Sequence, residues 1–104
     1  MVYRVSSVQV APGVVPKEAW EWAKEVCTYA ETTYGVKAAH ATRLVTPGPG
    51  QGGKITWIFT HDSMAAWADY YEQSRADPKW QEQLKSYRAL CTTHTLTNAL
   101  YEVM

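Results

Sequence analysis

The chain repeats one structural unit twice, and this order restricts the fold more than any other feature of the sequence. Residues 2–45 and residues 54–104 each read as an extended segment, an amphipathic helix and a second extended segment, with a glycine- and proline-rich stretch between them. The order βαββαβ is the split-βαβ, or ferredoxin-like, arrangement. It predicts an α+β fold, with a four-stranded antiparallel sheet and two helices on one face, in a single domain over residues 1–104.

The first helix is predicted to begin at Pro16 and to end at Gly35, because proline suits a first helical turn and glycine suits the residue after the last one. Trp22 lies off the predicted apolar stripe, which places it at the rim of the molecule or at a dimer contact. The residues of the stripe recur at spacings of three and four: Trp20, Ala23, Cys27, Ala30 and Tyr34.

The second helix is predicted to begin after an Asp62 or Ser63 cap and to turn Trp67, Tyr71 and Ser74 inward. Asp77-Pro78 interrupts it, since an aspartate cap followed by proline restarts a helix, so we expect a kink or short break there. The helix is then expected to continue through Trp80, Leu84, Tyr87 and Cys91, and the last strand to cover residues 92–103.

Apolar residues occupy both faces of the predicted sheet. In the third strand Ile55, Trp57 and Phe59 share one parity, and Ile58 lies on the other; the first and last strands show the same two-sided pattern. In an antiparallel sheet with one solvent-exposed face, each strand normally alternates between apolar and polar residues. Because two helices cover one face only, the second face is predicted to pack against another copy of the chain in a homodimer.

Composition excludes several classes of function. The chain has 10 Lys and Arg against 10 Asp and Glu, so no net charge attracts nucleic acid or an anionic membrane. No apolar run is long enough to cross a bilayer, and the first ten residues are too polar for a signal peptide. Cys27 and Cys91 are expected to be buried thiols rather than a disulfide, which favours a cytoplasmic protein.

Two sequence elements resemble a known family. The run Phe59-Thr60-His61-Asp62-Ser63-Met64 and the Ala-Asp-Pro-Lys-Trp segment at residues 76–80 are similar to the NIPSNAP-type branch of the dimeric α/β-barrel superfamily. This resemblance implies two ferredoxin-like protomers that stack their sheets into a barrel with a ligand cavity between them. It also implies a choice among cofactor-free cyclases, isomerases, monooxygenases and lyases, haem-degrading enzymes and binding proteins.

Seven side chains are candidates for a site in that cavity. His40 and His94 are the candidate general bases, because an unperturbed imidazole titrates near neutrality and both lie on predicted strands. The candidate substrate-binding residues are Tyr3, Arg43, Trp57, His61 and Asn98. For each histidine, a polar side chain without a catalytic role remains the alternative interpretation.

Metal and nucleotide sites have little support. No two histidines have the spacing of a metal-binding pair, and neither cysteine lies near one, so no metal is predicted. Haem remains an alternative, with His94 or His61 as its axial ligand. The segment Gly48 to Lys54 resembles a phosphate-binding loop, but Ile55 occupies the position that requires Ser or Thr, and a strand follows rather than a helix.

The sequence therefore predicts a homodimer that binds a small apolar or aromatic molecule between its two sheets. Cofactor-free proton-transfer or oxygenation chemistry is the main hypothesis. A non-catalytic NIPSNAP-like binding protein, a haem-binding or haem-degrading protein, and a structural dimer with a filled core are the alternatives.

Overall fold

The computed structural model describes residues 1–44 and 53–104 and has the predicted order of elements. Its sheet has the strand order β2-β3-β1-β4, and every neighbouring pair is antiparallel. The ferredoxin-like fold is thus confirmed. The elements are β1 (Val2–Val10), α1 (Pro16–Tyr34), β2 (Ala38–Arg43), β3 (Lys54–His61), α2 (Met64–Ala76), α3 (Pro78–Leu90) and β4 (Cys91–Glu102).

The connection between β2 and β3 falls largely on residues 45–52, which the structure does not describe. The pattern that resembles a phosphate-binding loop lies mainly there, so it is outside the described residues. Its last residue, Lys54, is the first residue of β3. Within the described ranges, no helix is both long enough and apolar enough to cross a membrane.

The strand register decides which face of the sheet carries the helices. On β1, Arg4 and Ser6 pair with Phe59 and Trp57 of β3, and this face packs under the helices. Tyr3 and Val5 alternate with them on the opposite face, which no element among the described residues covers; we call it the open face. The register shift opposite Ser7 and Gln9 lies on β4, because β1 pairs with β3 without a break from Val2 to Gln9. The apolar residues on both parities of β1 therefore lie on the two faces of the sheet.

Helix α1 begins with Pro16 and is followed by Gly35, whose positive φ of 66° is the left-handed conformation that glycine adopts readily. Trp22 is buried, contrary to the predicted rim position. Its ring meets that of Trp57 edge-on at 5.5 Å, and its Nε1 donates to the Gln83 carbonyl at 2.9 Å. Because α1 packs against both the sheet and α3, its buried face is wider than the single stripe predicted.

The break between α2 and α3 lies where it was expected. Ser63 caps α2 by accepting from the Ala66 N–H at 3.1 Å, and Asp77 caps α3 by accepting from the Lys79 N–H at 2.9 Å. Two details differ from the prediction. Tyr70 is the buried tyrosine of α2 while Tyr71 is exposed, because Tyr70 packs against the aromatic rings over β3. Cys91 begins β4 instead of ending the helix.

Candidate ligand-binding cavity

A cavity of about 920 Å³ lies between the sheet and the helices. Cavities of roughly 300–1,000 Å³ are typical of small-molecule sites. The helix-facing side of β1, β3 and β4 forms its floor, and α1, α2 and α3 contribute its walls. The lining residues are Arg4, Ser6, Trp22, Val26, Trp57, Phe59, Tyr70, Tyr71, Ser74, Arg75, Trp80, Gln81, Leu84, Tyr87, Arg88, Thr93, Leu96 and Asn98.

The cavity exists because the helices cover the sheet unevenly. Helix α1 packs against the half of the sheet that β2 and β3 form. Of the helices, only α3 packs closely against β4. Leu96 and Leu100 of β4 consequently remain 40% and 37% exposed. Leu84 of α3 is exposed to the same extent and lines the cavity, so apolar side chains form part of its rim.

Aromatic rings form most of the inner wall. Trp57 and Phe59 of β3 present their rings to the helices, and Tyr70 meets Phe59 at a centroid distance of 5.9 Å. Trp80 lies 6.0 Å from Tyr70 and nearly perpendicular to it. Flat rings in edge-on contact leave apolar surfaces against which a planar ligand can stack.

A polar group lies on the floor, on neighbouring strands. Ser6 of β1 and Asn98 of β4 are register partners, and the Ser6 hydroxyl donates to Asn98 Oδ1 at 2.6 Å. Arg4 lies two residues along β1 on the same face, between Phe59 and Leu100. These three side chains therefore offer hydrogen bonds on the sheet side of the cavity, next to its aromatic rings.

Two tyrosine hydroxyls belong to the walls. Burial raises the pKa of Tyr70 to about 12, against the opposing effect of the nearby Arg4 charge. Burial, and then the neighbouring Cys91, raise the pKa of Tyr87. The Tyr87 hydroxyl is buried and has no hydrogen-bond partner among the described residues. Both groups are thus neutral hydrogen-bonding groups near pH 7.

His61 lies next to the cavity without lining it. Its side chain is 2% exposed, and its ring lies 5.2 Å from that of Tyr70. Burial lowers the pKa of His61, and the positive charge of Arg4 lowers it further. Within the part of the chain that is described, its Nε2 has no hydrogen-bond partner. Its neutral ring packs against the ring of Tyr70, which lines the cavity.

The structure separates the seven predicted site residues. Trp57 and Asn98 line the cavity, whereas Tyr3 and His40 lie on the open face, paired with Thr60 and Ile58. His94 is exposed on β4 and does not line the cavity.

Arg43 faces the helices but lies outside this cavity. Its guanidinium stacks on the Trp20 ring at 4.5 Å, in a second groove between α1 and β2. His61 contacts Tyr70 but does not line the cavity either. Five of the seven predicted residues thus lie outside the cavity wall.

The observed cavity therefore lies on the opposite side of the sheet from the predicted one. The prediction placed it between two sheets, since both parities of β1 and β3 are apolar. Packing places Trp57 and Asn98 under the helices, whereas His40 and Tyr3 share the open face, where a cavity between two sheets stays a prediction.

Several lining residues were missed by sequence reasoning. Arg4 and Ser6 share the parity of Val2 and Val8, which are both 1% exposed. Two polar residues between two core valines on one parity are a signal for a polar site inside the fold, and this signal was present in the sequence. The contributions of Tyr70, Tyr87 and the helix arginines depend on how α2 and α3 pack, which no local pattern shows.

The cavity offers little to a metal or to haem. Within residues 1–44 and 53–104, no three His, Cys, Asp or Glu side chains form a group that could hold a metal ion. His61 and His94, the two histidines considered as axial haem ligands, do not line the cavity. The two histidines therefore offer no axial haem ligand inside this cavity.

Solved structures with the same fold were found, although no family model and no curated protein matches the chain. A NIPSNAP domain protein from Burkholderia xenovorans is 15% identical, with a TM-score of 0.70 over 100% of this chain and 95% of that one. SnoaB, a cofactor-independent oxygenase from Streptomyces nogalater, is 16% identical, with a TM-score of 0.72 over 98% and 91%. A dimeric protein of unknown function with a ferredoxin-like fold from Bacteroides fragilis is 12% identical, with a TM-score of 0.71 over 98% and 95%.

At the level of the fold, these similarities confirm the predicted resemblance to dimeric α/β-barrel proteins, including the NIPSNAP branch. At such low identity they do not carry a substrate or a reaction to this chain.

Proposed function

We propose that this protein binds a small, planar, aromatic molecule in the cavity between its sheet and its helices. The observation that carries the proposal is the combination of a 920 Å³ cavity, aromatic walls and a small polar group at its floor. Ligand sites are typically apolar cavities with a few convergent polar groups that fix the ligand's orientation. If side chains filled this cavity, the structure would instead favour a structural dimer without a ligand.

Blocking the cavity tests this function. Thr93 lines the cavity and is exposed, so Thr93→Trp can place an indole in the opening without disturbing the buried core. Titration with neutral 2-naphthamide, followed by tryptophan fluorescence, should show saturable binding to the parent protein and at least tenfold weaker binding to T93W. Thr28→Trp, on the exposed side of α1, is the matched control and should bind as the parent does. Equal binding by T93W and T28W would place the ligand elsewhere.

Cofactor-free chemistry on the bound molecule is the second candidate function. It is favoured by the polar floor of Arg4, Ser6 and Asn98 and by the similarity of the fold to a cofactor-independent oxygenase. No imidazole or carboxylate lines the cavity among the described residues. A substrate for this chemistry must therefore ionise readily by itself, with the protein stabilising the anion. Oxygen consumption with hydroxylated naphthalenes, in the parent protein and T93W, distinguishes an enzyme from a binding protein.

The proposed functional unit is a homodimer formed through the open face. Val5 at the centre of that face pairs with Ile58 and Ala99, and Tyr101 next to Tyr3 extends the apolar surface. Tyr101 is 56% exposed, which is a large fraction for an aromatic side chain on a sheet. Packing of a second copy would remove this surface from water.

We place this dimer in the cytoplasm. Cys27 and Cys91 are both buried and unpaired, as thiols in a reducing compartment are. Burial raises the pKa of Cys27 to about 12 and that of Cys91 to about 11, so both thiols are protonated and unreactive near neutrality.

A further inference from the structure

We infer that the ligand of this cavity carries an ionised oxygen, a carboxylate or a phenolate, and that Arg4 binds it. The inference rests on the proposed function, since it specifies the chemical class of the aromatic molecule. The shared chemistry is a planar ring system with one anionic oxygen group that reaches the floor while the rings contact the aromatic walls.

The cavity is positively charged although the chain is neutral overall. Three arginines, Arg4, Arg75 and Arg88, line it, and no Asp or Glu does so among the described residues. Residues 45–52 contain no acidic side chain, so they supply no counter-charge. With 10 acidic and 10 basic residues in the chain, the acids must lie on other surfaces. A cavity with one sign of charge concentrates ligands of the opposite sign.

Arg4 is the arginine best placed to hold the anion. It is half-buried on the central strand β1, with aromatic neighbours, and no carboxylate among the described residues lies within ion-pair distance of it. Arg75, at the rim, lies 3.9 Å from Glu72 and over the Tyr71 ring. A partly desolvated cation without a counter-ion is costly, and a bound anion would offset that cost.

The other polar groups at the floor and wall present donors. Since Asn98 Oδ1 accepts from Ser6, the Asn98 amide nitrogen remains available as a donor. The buried Tyr87 hydroxyl has no partner among the described residues and can also donate. With the planar guanidinium of Arg4, which matches two oxygens of a carboxylate, these donors suit an anionic acceptor better than a cation or a neutral amine.

Matched probes test the charge directly. Binding of 2-naphthoate and of 2-naphthamide, which differ mainly in charge, is measured by quenching of the tryptophans that line the cavity. We expect the parent protein to bind the acid at least tenfold more tightly than the amide, as charge-assisted hydrogen bonds are about twice as strong as neutral ones. A parallel titration with 4-nitro-1-naphthol, ionised at neutral pH, and with neutral 2-naphthol distinguishes a phenolate from a carboxylate.

Variants then assign the preference to Arg4. Arg4→Gln should abolish the preference for acid over amide, and Arg4→Lys should retain part of it. Lys85→Gln removes one positive charge from the exposed side of α3, beside Glu82, and should behave as the parent does. Circular dichroism of each variant checks that it is folded, and the comparison of probes on the parent protein does not depend on any variant.

The outcomes separate the two proposals. Equal binding of charged and neutral probes by the parent protein would overturn the anion inference and leave the aromatic cavity site standing. A preference that survives in R4Q would assign the anion to another group and overturn the role of Arg4. No binding of any naphthalene probe, at concentrations up to the solubility limit, would overturn the proposed function and this inference together.

Discussion

His61 shows how a single buried side chain can couple stability to pH. It is almost fully buried, its Nε2 is unpartnered among the described residues, and Arg4 and Tyr70 face it. Because folding lowers the pKa of His61 below its ordinary value of 6.5, the unfolded chain binds a proton more readily than the folded one. Its contribution to stability is therefore complete above pH 6.5 and decreases as the pH falls through the lowered pKa.

Replacing His61 tests this coupling. We expect His61→Phe to keep the ring packing and to remove the unpartnered Nε2. The free energy of unfolding at pH 7.5 should then be equal to that of the parent or higher by up to about 1 kcal/mol. Between pH 6.5 and pH 5 the parent should lose stability more steeply than H61F, as measured by urea unfolding at several pH values. His94→Gln, which changes an exposed histidine, is the control and should follow the parent. Parallel slopes for the parent and H61F would show that His61 does not titrate with unfolding.

At the scale of elements, hydrogen bonds to one carboxylate connect the break between α2 and α3 to helix α1. Asp77 Oδ2 accepts hydrogen bonds from the Tyr29 and Tyr34 hydroxyls, each at 2.6 Å, while Oδ1 caps α3. These bonds, with that from Tyr29 first, lower the pKa of Asp77 below its ordinary value of 3.8. These hydrogen bonds hold the α2–α3 break, and with it the cavity wall formed by α2 and α3, at a fixed position relative to α1.

Asp77→Asn should weaken this attachment. Because the pKa is lowered in the folded state, the stabilisation by Asp77 is present above about pH 4 and is lost as the pH falls through the lowered pKa. We expect D77N to melt several degrees below the parent at pH 7 in thermal unfolding, and the difference to shrink near pH 2.5. Asp69→Asn, an exposed acid on α2, is the matched control and should melt with the parent at both pH values. A D77N variant as stable as the parent at pH 7 would contradict this account.

The order and ends of the elements were largely predictable from local patterns. Proline at the start of α1, Gly35 after it, the Ser63 cap and the Asp77-Pro78 break act within one or two turns of chain, so the sequence alone places them. The buried faces of the helices were less predictable. Trp22 and Tyr70 are buried because the helices contact a sheet and each other, which widens or rotates the stripe that periodicity indicates.

At the scale of the whole molecule, the open face of the sheet determines the proposed assembly. Val5 lies at the centre of that face, between Ile58 and Ala99. Val5→Asp should place a carboxylate in the interface of both protomers and raise the dissociation constant at least tenfold, because buried like charges are costly. Sedimentation velocity over a range of concentrations measures this change, with Thr28→Asp on the exposed side of α1 as the control.

Each result has a clear meaning for the assembly. A parent protein that is monomeric at all concentrations would remove the proposed dimer. A dimer that V5D and T28D form equally well would place the interface on another surface.

The sequence by itself determined the βαββαβ order, the helix caps and the presence of apolar residues on both faces of the sheet, because these follow from local conformational preferences and from periodicity. Only the tertiary structure decided which parity of each strand faces the helices. That choice brings Arg4, Ser6, Trp57 and Asn98 together under α2 and α3, and it leaves His40 on the opposite side. The physical reason is that a strand presents two faces of similar apolarity, and the packing of the helices selects the one that becomes the floor of the cavity.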